Sequence, residues 1–173
     1  RGIHREAAAR FLDAGGSPHR IGHHLMAAGQ ATQAVPYLLR AAETHAAIGA
    51  YRDALAVVDS VRPHATGEER SRALSLRGDL LNALGDPMAA AAYRDALDGA
   101  PPDAVPRLRA RLARSALMAG DIDTAAAALD GLEPDGGDHD GEILLARGTH
   151  AWFVADFATA AEAADAAERL ILS

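Results

Sequence analysis

The sequence predicts an all-α fold of about ten helices, arranged as successive helical hairpins. Alanine supplies much of a hydrophobic content of 49%, while aromatic residues reach only 4%. Alanine has the highest helix propensity, and residues that favour strands never form an alternating run. Four similar turns recur at intervals of 35 or 36 residues. A period of that length is typical of stacked helical repeats, in which hairpins share a continuous core.

The pattern of apolar residues and helix-ending signals predicts ten helices. They span about residues 3–14, 17–28, 31–47, 51–61, 67–84, 86–99, 103–119, 121–132, 141–154 and 156–171. Several starts have a chemical cause. Ser17 is a capping residue followed by a first-turn proline. Thr66 with Glu69 matches a capping box, and Pro106 fits the first turn of the helix that follows Asp103.

Each recurring turn places a small residue between two helical segments. The four residues are Gly49, Gly85, Gly120 and Ala155. Glycine readily adopts the left-handed conformation that ends many helices. An aspartate follows in three of the turns, and its carboxylate is predicted to accept the free N–H groups of the next helix. These aspartates are Asp86, Asp121 and Asp156.

The segments between hairpins are polar or rich in proline and glycine, and the longest and most acidic is 133–141. Its composition is similar to that of a calcium loop, but its glycine spacing does not fit an EF-hand. We expect a solvated loop in which Asp140 caps the next helix. No segment has the character of an interdomain linker, so one architectural unit is predicted, with a lead-in over 1–35 and repeats over 36–173.

The repeated positions resemble those of tetratricopeptide repeats across about residues 36–170. That family places a small residue in the first helix, a large one after the turn and an alanine in the second helix. Here the small residues are Ala42, Gly78, Ala113 and Gly148; the large ones are Tyr51, Ile122 and Phe157; the alanines are Ala54, Ala125 and Ala160. In the third repeat Pro87 replaces the large residue. The resemblance implies a right-handed superhelical solenoid whose first helices line a concave, partner-binding surface.

Residues 3–60 have a second resemblance, carried by Ile3-His4-Arg5, by the stretch 21–29 and by residues 34–43. They look like the junction between the ATPase module and the helical repeats of large bacterial signalling proteins. LuxR-type regulators with a large ATP-binding domain and nucleotide cyclases with an AAA module are of this STAND-like kind. The resemblance implies a segment of a signalling or transcriptional regulator that follows an ATPase. The chain begins with Arg1, which we interpret as a cut from a longer protein.

The amino-acid composition excludes several kinds of catalytic and cofactor chemistry. The chain has no cysteine, and its 17 cationic side chains are all arginine. Thiolate chemistry, a P-loop and a lysine Schiff base are therefore absent, and no nucleophile, base and oxyanion donors assemble. We accordingly predict a chain that is not an enzyme and has no cofactor. The arginine bias is typical of high-GC genomes and suggests an actinobacterial source, and a cytoplasmic location without a membrane span is expected.

The formal net charge is −7, and the negative charge is concentrated near the C-terminus. Residues 1–120 hold 15 arginines and 12 carboxylates, whereas residues 121–173 hold 2 arginines and 12 carboxylates. An acidic end repels phosphates, so binding of nucleic acid by this segment is not expected. The favoured interpretation of this negative charge is a solvated outer face with acidic residues at the helix starts.

His19 and His23 are four residues apart near the N-terminus, so both could face one way on a helix, with His24 adjacent. Two histidines four residues apart can chelate a transition metal. The pattern lacks a zinc-protease glutamate and an obvious third ligand. Local packing of these rings is the favoured interpretation, and metal binding by them stays open.

Arginines 107, 111 and 114 form a helical stripe that suits anions such as a carboxylate. The asparagines of the family's carboxylate clamp are missing, so pairing with acidic residues of the same chain is the stronger interpretation. Trp152 is the only tryptophan; it is predicted either to anchor a partner or to pack between helices. The predicted groove comprises Arg72, Asp79, Asn82, Arg107, Arg111, Arg114, Leu145, Thr149 and Trp152, with Ser75, Ala110 and Leu117 between them.

These observations predict a non-catalytic scaffold segment that binds a protein or peptide, including another domain of the same chain. The alternative is a sensory arm that binds a small effector. A metal-dependent or nucleic-acid-binding fragment is the third interpretation.

Overall fold

The computed structural model describes residues 2–172, and within that range it contains ten α-helices and no β-strand, so the predicted all-α class is confirmed. The helices are α1 (Gly2–Asp13), α2 (Pro18–Ala28), α3 (Ala31–Ala47), α4 (Tyr51–Val61), α5 (Gly67–Ala83), α6 (Ala89–Leu97), α7 (Val105–Met118), α8 (Ile122–Leu129), α9 (Asp140–Phe153) and α10 (Phe157–Leu172). A 3₁₀ turn at Arg62–His64 follows α4. Every helix end lies within three residues of its predicted position. None of the helices among the described residues has both the length and the hydropathy that crossing a bilayer requires.

The chain divides into two compact units, Arg1–Asp86 and Pro87–Ser173. Helices α1 to α5 belong to the first unit and α6 to α10 to the second. The organisation predicted from the sequence, with a lead-in over 1–35 and repeats over 36–173 in one architectural unit, stays a prediction. The division falls inside the recurring turn that ends at Pro87, the residue at which the third repeat departs from the repeated pattern. The predicted boundary between residues 35 and 36 lies inside α3.

In the first unit the core forms around α3, which packs against α2, α4 and α5. Leu39 of α3 and Val58 and Val61 of α4 are fully buried. Helices α2 and α3 come close at Gly22, where an added Cβ would lie 2.5 Å from Cγ of Leu38. The absence of a side chain at residue 22 therefore sets the distance between these two helices.

In the second unit α9 packs against both helices of the α7–α8 hairpin, and α10 then packs against α9. Leu117 of α7 and Ile143 of α9 are fully buried, at 1% and 0% exposure. The first unit shows the same relation, because α5 contacts both α3 and α4. In both units, therefore, one helix packs against both helices of the hairpin that precedes it.

The four recurring turns share one backbone structure. The turn residue has a positive φ each time, 79° at Gly49, 71° at Gly85, 80° at Gly120 and 60° at Ala155. The next residue donates its N–H to the carbonyl five residues earlier, over 2.8 or 2.9 Å. Those pairs are Ala50 with His45, Asp86 with Leu81, Asp121 with Ala116, and Asp156 with Ala151. Such bonds around a left-handed residue define the Schellman motif, so the predicted helix-ending role of these residues is confirmed.

Asp121 and Asp156 each act on two helices. Their N–H groups close the preceding helix, and their Oδ1 atoms accept the N–H of Thr124 at 3.0 Å and of Thr159 at 3.2 Å. The predicted caps of α8 and α10 are thus confirmed. Hydrogen bonds from the threonine side chain and then from its backbone hold the pKa of each aspartate below its ordinary value, since they favour the charged carboxylate.

Other predicted caps have mixed outcomes. Ser17 does cap α2, accepting a backbone N–H at 3.4 Å. Asp86 was predicted to cap α6, but the helix begins later and its cap is Met88, because the intervening residues form a further turn. Thr66 does precede α5, yet its side chain makes no cap hydrogen bond. The predicted capping box is therefore wrong; Gly67, with φ of 52°, changes the geometry of that first turn.

Candidate functional site

An apolar groove of about 430 Å³ lies between α9 and α10. Helix α9 contributes Leu144, Leu145, Gly148, Thr149 and Trp152 to its lining. Helix α10 contributes Ala160, Ala163, Ala164 and Ala167. The hydroxyl of Thr149 donates to the Leu145 carbonyl of its own helix at 2.6 Å, so this side chain offers mainly its methyl group to the groove. The lining is therefore carbon surface that water solvates poorly.

Small residues shape the floor of this groove. A Cβ added at Gly148 would lie 3.2 Å from the Cβ of Ala163 and 3.8 Å from the carbonyl oxygen of Ala160. The two helices can approach this closely because neither side carries a bulky group. The pattern of small residues in the sequence predicted this close approach, and the structure confirms it at α9 and α10.

Large apolar side chains stand at the mouth of the groove. Trp152 is 66% exposed and Leu145 is 50% exposed. The Trp152 ring meets Phe157 edge to face, with centroids 5.3 Å apart, and Phe157 is itself 59% exposed. Other exposed apolar residues on this hairpin are Phe153, Val154, Leu170, Ile171 and Leu172. An exposed apolar cluster such as Trp152 with Phe157 beside an apolar groove marks a place where another surface packs.

The structure brings three of the predicted site residues together in this groove, namely Leu145, Thr149 and Trp152. Trp152 was predicted either to anchor a partner or to pack between helices, and its exposed position fits an anchor. Two residues that the groove was predicted to present, Ala110 and Leu117, are instead buried, at 0% and 1% exposure. Sequence spacing placed them on the correct helix, but α7 is covered by neighbours on several sides, which spacing alone does not show.

The predicted arginine stripe on α7 meets a carboxylate of its own chain. The Arg111 guanidinium donates to both carboxylate oxygens of Glu142, at 2.7 and 3.0 Å. Arg107 lies 3.3 Å from the same carboxylate and 3.6 Å from that of Asp138, and Arg114 is half-buried on the same helix. Glu142 thus occupies the place that a ligand carboxylate would take, as the intramolecular interpretation predicted.

The remaining predicted site residues lie on α5, in the first unit. Arg72 pairs with Glu43 of α3 at 2.6 Å, and both side chains are about half exposed. Asp79 is half-buried and Asn82 is exposed on the same helix. The roles of these residues in binding stay a prediction, since they belong to a different compact unit from the groove on α9 and α10.

The acidic loop before α9 is closed by Asp140, which is 5% exposed. Its carboxylate accepts the N–H of Asp135 at 3.1 Å and of Gly136 at 2.9 Å. The prediction that Asp140 caps α9 is therefore wrong, because the residue begins that helix and turns back to the loop. Asp135, His139 and Asp140 place possible ligand atoms within 4.8 Å of one another, a grouping that sequence reasoning treated as solvated loop.

The N-terminal histidines make contacts that differ from the predicted cluster. His24 places its Nδ1 3.1 Å from Nδ1 of His4 on α1, and its ring stacks on Phe11. His19 stacks instead on His45 of α3, with centroids 6.0 Å apart. These rings therefore join neighbouring helices, a role that needs tertiary structure to be seen.

A second, more polar cavity of about 320 Å³ lies beside α9, on the side of α8. It is lined by Arg147, which pairs with Glu133, and by His150. The Nε2 atom of His150 is buried and has no hydrogen-bond partner among the described residues. Sequence reasoning missed this site, because the histidine lies singly on a helix without any motif.

Comparison with protein-family models, with curated proteins and with solved structures gives no significant match.

Proposed function

We propose that this chain is a non-catalytic, tetratricopeptide-like repeat segment that binds a protein partner in the groove between α9 and α10. The observation that carries the proposal is the exposure of Trp152, Leu145 and Phe157 around an apolar groove. Burying such side chains contributes about 1.5–3 kcal/mol each, and tryptophan is frequent at the energetic centre of interfaces. A polypeptide is the favoured partner because it supplies apolar side chains over the whole length of the groove.

The resemblance of residues 3–60 to the junction after an ATPase module supports a wider context. We propose that the segment belongs to a cytoplasmic bacterial signalling or transcriptional regulator and transmits signals through protein contacts. Nucleic acid and membrane are not proposed as partners of this segment, because 12 carboxylates face only 2 arginines over residues 121–173. The sequence of the gene on either side of these residues tests this context.

A small effector is the second candidate, favoured by the cavity beside α9. Its volume of about 320 Å³ lies at the lower end of small-molecule sites, and the buried Nε2 of His150 is left for a ligand to satisfy. In this version the chain acts as a sensory arm whose effector binds next to Arg147.

Site-specific photo-crosslinking separates the two candidates. A benzophenone amino acid is placed at Ala164, which lines the groove and is exposed. The control is Glu162, an exposed residue of the same helix on the face away from the groove. Irradiation in cells that produce the protein should give a crosslinked polypeptide at residue 164 and none at residue 162. A third variant carries the photo-reactive group at Val154, which lines the second cavity.

Mass spectrometry of the products decides the outcome. A polypeptide adduct confined to residue 164 supports protein binding. A small-molecule adduct at residue 154, without a polypeptide at 164, moves the function to effector sensing. Equal polypeptide crosslinking at residues 164 and 162 would show that the groove has no special role, and the proposal would fail.

A further inference from the structure

We infer that the groove between α9 and α10 accepts an amphipathic α-helix that carries an arginine or lysine near its middle. This inference rests on the proposed function and specifies the partner's secondary structure and charge. It follows from two grooves of the same kind that the chain fills with its own helices.

Both filled grooves hold a helix. In the first unit the α3–α4 hairpin receives α5, and in the second unit the α7–α8 hairpin receives α9. The positions one 35-residue period before Leu145, Gly148 and Trp152 are residues 110, 113 and 117 of α7. All three of those residues are at most 1% exposed, so in the earlier hairpin the corresponding face is covered. The α9–α10 hairpin repeats that shape, which makes a helix the fitting occupant.

Each helix that fills a groove brings an arginine at the same repeat position. Arg77 of α5 directly precedes the small residue Gly78, and Arg147 of α9 directly precedes Gly148. Each guanidinium reaches a carboxylate on the preceding hairpin. Arg77 donates to Asp59 of α4 at 2.9 Å, and Arg147 pairs with Glu133, just beyond the end of α8.

The last hairpin has carboxylates at both of the corresponding places. Asp59 lies ten residues after the turn residue Gly49, and Glu133 lies thirteen residues after the turn residue Gly120. Counted in the same way from Ala155, these places hold Asp165 and Glu168, both exposed on α10. A helix seated as α5 and α9 are seated would bring its basic residue to this acidic pair.

The occupant is therefore a helix of about 14–17 residues, since α9 has 14 and α5 has 17. Its apolar residues follow the i, i+3, i+4, i+7 spacing that fits one helix face. The apolar stripe supplies most of the affinity, while the half-exposed ion pair selects the register and orientation.

A selection experiment tests both features. Two display libraries of 17-residue peptides are selected on the purified protein. The first keeps four apolar positions at helical spacing and varies all others; the second has the same composition with a central proline, which breaks a helix. We expect enrichment only from the first library, with arginine or lysine at one central position. The emission of Trp152, the only tryptophan, should shift to the blue on binding, because its exposed ring becomes buried.

Variants of α10 locate the binding. Ala164→Glu places a charge in the groove and should weaken binding at least about tenfold, whereas Ala127→Glu, at an exposed alanine of α8 that lines neither cavity, should leave it unchanged. Glu168→Arg should weaken binding about two- to fivefold, and exchanging the peptide's basic residue for glutamate should restore it. Glu162→Arg, an exposed charge on another face of α10, serves as the control.

The results of these experiments distinguish a failure of the helix inference from a failure of the proposed function. Enrichment of proline-containing peptides that depend on Ala164 would overturn the helix while leaving a protein-binding groove. Enriched helices without a preferred basic position would overturn the charge assignment. Trp152 emission that shifts with protein concentration alone would identify a second copy as the occupant, against this inference. If no peptide from either library depends on Ala164, the inference fails, and the crosslinking at residue 164 then decides the proposed function independently.

Discussion

The turn before α10 contains an alanine where the three equivalent turns contain glycine, and this difference predicts a stabilising substitution. Ala155 has φ of 60°, in the left-handed region that residues with a Cβ rarely adopt. Left-handed backbone costs such a residue about 1–2 kcal/mol. Glycine removes that strain but loses about 0.4–1 kcal/mol through the greater freedom of the unfolded chain. Ala155→Gly should therefore raise the free energy of unfolding by about 1 kcal/mol.

The reverse change provides the matched test. Gly120 occupies the same position in the preceding turn, with φ of 80°, and a Cβ added there meets nothing within 4 Å. Gly120→Ala should therefore lower the free energy of unfolding by about 1 kcal/mol through backbone conformation alone. The two substitutions should nearly cancel when combined, since the turns lie in separate loops.

Urea denaturation followed by two probes measures these effects. Circular dichroism reports all helices, whereas Trp152 fluorescence reports only the second unit, where both substitutions lie. Two probes are needed because the chain has two compact units, which can unfold separately. A Gly120→Ala variant as stable as the parent protein would refute the left-handed turn, and with it the shared structure of the four turns.

Three further substitutions test the second unit. Gly148→Leu should destabilise it by about 1–3 kcal/mol in urea denaturation, because the new Cβ would lie only 3.2 Å from that of Ala163, while Gly141→Ala, whose Cβ would meet its nearest neighbour at 3.7 Å, should be neutral or slightly stabilising. Glu142→Gln should lose about 1–2 kcal/mol, since it removes the negative charge that Arg111 and Arg107 share, whereas the exposed Glu162→Gln should change stability by less than about 0.5 kcal/mol. Asp121 has a lowered pKa in the folded state, so its stabilising effect is complete above the ordinary value of 3.8 and is lost as the pH falls through the folded value. Between pH 5 and about pH 2, the thermal midpoint of the Asp121→Asn variant should accordingly decline less than that of the parent protein. An equal decline in both proteins would contradict the cap.

Local signals in the sequence predicted the helices and turns well. The glycine turns and the capping residues Ser17, Asp121 and Asp156 depend on interactions between residues near in sequence, which spacing reveals. The prediction for Asp140 was wrong because two local interactions compete for its carboxylate. The carboxylate of Asp140 could cap α9 or close the loop before it, and in the structure it accepts two backbone N–H groups of the loop.

Tertiary relations were only partly predictable. The repeat period placed Leu145, Thr149 and Trp152 on one helix face, and the structure joins them in one groove. The alanines that form the other wall of that groove carry no chemical signal of their own. The contact of His4 with His24 joins residues 20 apart in the sequence on different helices, so no spacing rule could find it.

The structure of a selected, isotope-labelled peptide bound to the protein provides the decisive measurement. NMR of the complex should show helical Cα shifts over at least about 12 peptide residues, with contacts to the Trp152 indole and the Ala163 methyl group. Extended backbone shifts, or contacts that avoid both of these groups, would contradict a helix-binding groove between α9 and α10.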